Sequence, residues 1–195
     1  MGLFDRLLNL GGGRGDADAS PALDPLADLV LDKLRVGYLV DFDDVTWTVT
    51  AHHRYRFSEG DEAEEWELTD NATRRYLTRE TGDGVYWSLS KKIALGAIDT
   101  DVRGPILAGD EPPARIVYRG ATLFLDESDG GRFFEDAGPG RPRGEGKPFI
   151  AWTYIDEEDT VFLNVEQWGE REIEAAHGRE VEEYQFTNIL PGDSR

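Results

Sequence analysis

The chain has 195 residues, enough for one sizeable domain or two small units sharing a core, and it contains no cysteine, which excludes disulfides and cysteine-based zinc or iron–sulfur sites. Forty acidic side chains against 21 basic ones give a net charge of −19 and a pI near 4.4. Nucleic-acid phosphates and anionic lipid headgroups call for clustered Lys and Arg, so neither nucleic acid nor direct lipid binding is expected. The amino terminus, MGLFDRLLNL, lacks the features of a signal peptide, and no run of about 18 apolar residues follows it. Within it Leu3, Phe4, Leu7 and Leu8 recur at helical spacing, which predicts an amphipathic segment over residues 1–10. GGGRGDADAS then reads as a flexible linker over 11–20.

Asp24 and Pro25 form an N-cap and first helical position, and Leu26, Leu29, Val30 and Leu34 share one face, predicting a helix over 25–35 that ends before Gly37. From Val45 the period changes to two. Val45, Trp47, Val49, Ala51, His53, Tyr55 and Phe57 alternate with polar partners, which predicts one long strand with a bulge near Ala51 to His53. Further strands are read at 64–69, 74–80, 85–90, 115–118, 122–126, 149–155 and 160–166, several separated by Gly- or Asp-rich turns. DTDVRGPILAGD, 99–110, reads as an acidic loop rather than a calcium site, because Arg103 stands at a ligand position. EREIEAAH predicts a short carboxy-terminal helix stopped by Gly178.

The chain matches itself twice. WELTDNATRRYLTRE, 66–80, aligns without a gap on WTYIDEEDTVFLNVE, 152–166, and VDFDDVTWTV, 40–49, aligns on IVYRGATLFL, 116–125. The difference between the two offsets falls in GRFFEDAGPGRPRGEGKP, a composition suited to a surface loop. These matches predict a mainly β protein of two similar antiparallel units, packed as a sandwich or a barrel-like pair. The first unit, with the helix, runs over 21–112, and the second over 113–195. In such a pair Trp47, Trp66 and Trp152 bury against the facing unit with their indole N–H groups bonded, and Trp87 and Trp168 lie at edges.

Few residues suggest chemistry. His52 and His53 are adjacent on a strand and point to opposite faces, and His177 stands alone, so no metal or other cofactor is expected. GPGRPRGEGKP lacks phosphate-loop spacing, yet Arg141, Arg143 and Lys147 make it a local positive island. Asp70 with Asp156, and Glu80 with Glu166, are repeat-related pairs that could meet across a pseudo-dyad. The two aspartates also sit where Asp commonly serves the hydrogen bonds of its own turn.

LDKLRVGYLVDFDDVTWTVTAHHRY, EWELTD, RRYLTRE, WSLSKKI, ARIVYRGATLFLDE and IAWTYIDEEDTVFLNVEQWG occur in that order and resemble the prokaryotic domain-of-unknown-function family numbered 4178. The resemblance implies a β-rich fold of two related halves and an accessory role near membrane-associated proteins or polyamine-handling enzymes. It brings no catalytic residues.

The reading that follows is a non-catalytic accessory domain, cytoplasmic or peripheral at the inner face of the membrane. It binds a protein through the amino-terminal segment and the Arg141, Arg143 and Lys147 loop. The alternative is a binder of a polyamine-like cation, or a hydrolase, with a cleft lined by Asp70, Glu80, Asp156 and Glu166. A basic complement of 17 arginines and four lysines beside 40 acids also predicts adaptation to salt, because counterions screen the self-repulsion of the compact state. The melting temperature is expected to rise between dilute and molar salt, and a flat or falling curve in a calorimetric scan would refute this.

Overall fold

A computed structural model describes residues 29–138, 142 and 144–192. The first hairpin joins β1 (Leu39–Phe42) to β2 (Val45–Phe57) through Asp43 and Asp44, both at positive φ, a two-residue turn whose twist suits the flanking strands. β3 (Glu62–Thr69), β4 (Arg74–Thr81) and β5 (Val85–Ile93) continue as a meander. A second hairpin joins β6 (Arg115–Tyr118) to β7 (Ala121–Phe134) through Arg119 and Gly120, again both at positive φ. β8 (Lys147–Ile155), β9 (Phe162–Gln167), β10 (Ile173–Val181) and β11 (Thr187–Leu190) follow.

Among the described residues all eleven strands belong to one antiparallel sheet, in the order β11-β1-β2-β3-β4-β5-β10-β9-β8-β7-β6, with β2 also paired to β7. That last pairing closes eight strands into a ring. β2 and β7 can each serve two neighbours because they are long and bulged. Near its start β2 pairs with β1, and over Arg54 to Phe57 it pairs with β7, while β3 follows its other edge from Thr48 onward. The register breaks at Val49/Ala51 in β2 and at Leu125/Glu127 in β7, and the bend there lets the hairpin ends leave the ring and fold over it. The bulge expected near Ala51 is therefore present.

Apolar side chains lie mainly outside the ring, under two covers. Trp66, Leu68, Leu77 and Leu89 pack beneath Val40, Phe42, Leu31 and Leu34 on one flank. Trp152, Tyr154, Leu163 and Val165 pack beneath Val102, Ile106, Ile116 and Leu123 on the other. Indole donors hold the covers down. Trp66 donates to the Leu34 carbonyl at 3.0 Å, Trp47 to the Phe42 carbonyl at 3.3 Å, and Trp152 to a Glu111 carboxylate oxygen at 2.9 Å.

Several expectations are corrected. Two sheets facing each other across a shared core do not form: Trp66 and Trp152 belong to separate clusters, each buried beneath its own cover. Trp87 and Trp168 are buried, not at edges. Over residues 29–35 the expected helix is reduced to one 3-10 turn, Leu31–Lys33; Leu34 adopts extended ψ, and its carbonyl is committed to Trp66. The stretch EREIEAAH is not a helix, because β10 is bonded on both edges, to β5 and to β9, and that pairing outweighs local helix propensity. Within the supposed acidic loop, α1 (Arg103–Ala108) is a short helix whose Ile106 belongs to the second cover. Among the described residues no helix is long and apolar enough to cross a membrane.

Gly131 sits at the closing seam, opposite Phe57, where a Cβ would overlap the Arg56 carbonyl oxygen. Gly131→Ala is expected to lower stability by about 1–3 kcal/mol, because backbone cannot yield as a flexible side chain does. Denaturant unfolding measures this, and an unchanged midpoint would show that closure tolerates the added methyl.

Candidate functional site

With the apolar faces turned outward, the alternate residues of each strand point into the ring. In β3 the outward set is Glu64, Trp66 and Leu68, and the inward set is Ala63, Glu65 and Glu67. The inward positions of the eight strands enclose a cavity of about 800 Å³. Its described lining carries fourteen acidic side chains and three lysines or arginines. Each of those three bases is already matched to a glutamate. Arg74 meets Glu67 at 3.0 Å, Lys92 meets Glu174 at 2.6 Å and Lys147 meets Glu172 at 2.9 Å.

Near the closing seam the cavity is aromatic. Tyr55, Phe57, Phe133, Phe149 and Trp168 pack on one another there with ring centroids 4.9 to 6.4 Å apart. The Tyr55 hydroxyl lies 3.4 Å from a Glu65 oxygen, joining the aromatic end to the acidic part.

Burial removes water from the inward carboxylates, and their neighbours are of like charge. Burial first, then Glu166, pushes Glu65 up to about 8. Burial and the charge of Glu174 push Glu166 to about 7, and burial with Glu127, Asp61 and Glu180 pushes Glu80 to about 7. Glu127 is raised by burial and by Asp129 and Asp126. For Lys92 burial opposes the charge, but the Glu174 hydrogen bond outweighs it and the pKa rises. His53 is lowered chiefly by burial, and its Nδ1 accepts the Asp136 backbone N–H at 3.1 Å. His52 points the other way and stacks on Trp66 with centroids 4.7 Å apart. The outward Glu64 is tied to Arg54, to Arg79 and to His52 Nε2.

Of the four carboxylates singled out in sequence, the fold brings Glu80 and Glu166 into the cavity and leaves Asp70 and Asp156 on exposed turns. Asp70 Oδ1 accepts the Thr73 and Ala72 backbone N–H groups at 2.6 and 2.9 Å, and these bonds lower its pKa. Asp156 Oδ1 accepts the Thr160 and Val161 N–H groups at 2.7 and 3.2 Å. Both aspartates therefore serve their own turns. Lys147 begins β8, paired to Glu172 with its Nζ 5.2 Å from the Trp168 centroid, so it is no isolated positive charge. Leu3, Phe4, Leu7, Leu8, Arg141 and Arg143 lie outside the described residues.

Sequence reasoning missed Glu65, Glu67, Lys92, Glu127, Glu174 and Glu180 as members of the site. Their signal was present as the polar half of each alternation. An inward polar face and a solvent face share one pattern until the ring closes.

Fold and site together define an all-β protein whose sheet closes around an acid-lined cavity. Residues 35–183 match the family model described as Domain of unknown function (DUF4178), and the chain belongs to that family. It is similar to an "Uncharacterized protein" of Aquifex aeolicus (strain VF5), at 27% identity over 161 residues that make up 83% of this chain and 85% of the relative. No solved structure matches the chain.

The raised carboxyl groups tie stability to pH. An ordinary glutamate of pKa 4.5 is ionised in the unfolded chain at neutrality, whereas Glu65, Glu80 and Glu166 still hold protons when folded. From about pH 5 upward the folded form therefore binds more protons than the unfolded chain, so raising the pH favours unfolding until the folded carboxyls have themselves ionised, near 7 to 8. Stability falls by up to about 1.4 kcal/mol per pH unit for each group. His53 and His177, both lowered from 6.5, act in the opposite sense only below that value. Melting temperature is expected to drop between about pH 6.5, above which the histidines no longer oppose it, and about pH 8, and to level off beyond, with a shallower drop in Glu65→Gln; a rising curve would contradict the buried placement.

Proposed function

We propose that the protein binds a small organic cation inside the ring. The observation that carries this reading is the cavity's composition: fourteen acids, and three bases already committed to Glu67, Glu174 and Glu172. Carboxylates held at high pKa by burial and mutual repulsion gain most from an incoming positive charge. The ligand's ammonium replaces the protons they hold and removes the like-charge penalty. The aromatic end supplies apolar and π surface for a carbon chain and is compatible with the same ligand. A volume of about 800 Å³ suits a molecule of linear-polyamine or small drug size.

We also infer that the ring is built from two equivalent five-strand units, β1–β5 and β6–β10, with the cavity between them. Support comes from the register. The bulge of β2 at Val49/Ala51 and that of β7 at Leu125/Glu127 fall at aligned positions of the repeat, and Arg56 pairs across the seam with its own counterpart, Arg132. Glu80 and Glu166 are counterparts in the same sense.

The test is isothermal titration with alkylamines, spermidine and uncharged alcohols of matched length. Amines are expected to bind and alcohols not. Affinity is expected to increase from about pH 6.5 to 8.5, because the carboxyls ionise while an amine of pKa near 10.4 stays charged. Replacing both Glu80 and Glu166 by Gln is expected to weaken binding at least tenfold, or about 1.4 kcal/mol. Equal binding of alcohols and amines, or no amine binding at millimolar concentration, would overturn the reading.

A further inference from the structure

The cavity's charge is uneven from end to end. At one end Lys92 Nζ donates to Glu174 Oε2 at 2.6 Å and lies 5.6 Å from the Tyr76 ring centroid, with Glu166 and Glu65 nearby. At the other end Glu80 has Glu127, Asp61 and Glu180 around it. Among the described residues none of these four carboxylates has a salt-bridge partner. Glu80 is half-buried and faces the cavity, and no hydrogen bond or ion pair to another side chain holds it among the described residues.

The strand register gives this asymmetry its form. Ser90 of β5 stands opposite Gly178 of β10. Two residues further along β5 is Lys92, and two residues further along β10 is Glu180, so a base and an acid occupy corresponding inward positions. Beside them Glu166 stands opposite Glu174, and Glu80 opposite Tyr86. Lys92 is itself an alkylammonium, a carbon chain ending in a charge held by a carboxylate beside an aromatic ring. It occupies one end, and the corresponding end has the carboxylates without the ammonium. From Tyr86 to Lys92 is roughly 20 Å of strand at ~3.3 Å per residue, so one small head group cannot serve both ends.

We propose that the cavity takes a ligand with a single alkylammonium head, seated among Glu80, Glu127 and Glu180, and that Lys92 excludes a second ammonium from the opposite end. This inference rests on the cation-binding reading and adds the ligand's charge distribution. A second positive head would have to displace Lys92 from Glu174 or lie beside its like charge.

Titration of octylamine, 1,8-diaminooctane and 1-octanol into the wild-type protein and the Glu80→Gln, Glu166→Gln and Lys92→Met variants tests it. The wild type is expected to prefer octylamine to the diamine severalfold and to bind octanol least. Glu80→Gln should cost about tenfold in octylamine affinity and Glu166→Gln much less. Lys92→Met should invert the preference in favour of the diamine, with a circular-dichroism melt confirming that it folds and Lys92→Gln serving if it does not. A wild type that binds both amines but prefers the diamine overturns this inference and leaves the cation-binding reading standing. So does an equal loss from Glu80→Gln and Glu166→Gln, or a preference that ignores Lys92. A wild type that binds neither amine overturns both.

Discussion

The pairing of β2 with β7 is the constraint on which the rest of the molecule depends. Without it the eleven strands form an open sheet whose polar face meets water, and Glu65, Glu80 and Glu166 are ordinary surface carboxylates. With it, Arg54 to Phe57 bond to Gly131 to Phe134, and the same polar face becomes the wall of a cavity. The seam requires close backbone approach, which Gly131 permits, and it is backed by the mutually packed aromatic rings of Tyr55, Phe57, Phe133, Phe149 and Trp168. Closure therefore joins β2 and β7 directly and moves carboxylates out of bulk water at the same time.

The arrangement reverses the usual placement of a small β-barrel's core. Inward positions of small barrels are commonly filled by apolar side chains. Here the apolar faces point outward and are sealed by β1, β11 and the Leu31–Leu34 segment on one flank, and by β6, α1 and the 3-10 turn Leu95–Ala97 on the other. The indole bonds of Trp66 to Leu34 and of Trp152 to Glu111 tie these covers to the ring. Because the covers supply the hydrophobic burial, the interior is free to carry charge. Glu65, Glu80 and Glu166 tolerate burial by keeping protons towards neutral pH, an option open to a carboxyl in a site of high like-charge density.

That interior also separates two roles for acidic residues. Asp70 and Asp156, each in its own turn, are satisfied by backbone N–H groups that lower their pKa values. Glu64, outside the ring, is satisfied by Arg54 and Arg79. Glu80, which faces the cavity, has neither kind of partner among the described residues. The overall charge of −19 is thus unevenly spent, with most acids meeting water or a base and a few meeting each other across an enclosed space.

The sequence by itself determined the β character, the hairpins and the long bulged strand, because period-two alternation and the Asp43-Asp44 and Arg119-Gly120 turns are local properties. It also carried the family's motifs and the importance of Trp66 and Trp152. It misjudged 170–177, where residues that favour a helix in isolation are held as a strand between β5 and β9. The tertiary structure alone decided which side of each strand faces inward, since alternation distinguishes two faces without saying which one a ring will enclose. The cavity, the meeting of Glu80 with Glu127 and Glu180, and the distinction between Lys92's end and the unpaired end all follow from that choice. It is made by contacts between β2 and β7, some seventy-six residues apart at Arg56 and Arg132, which no local pattern encodes.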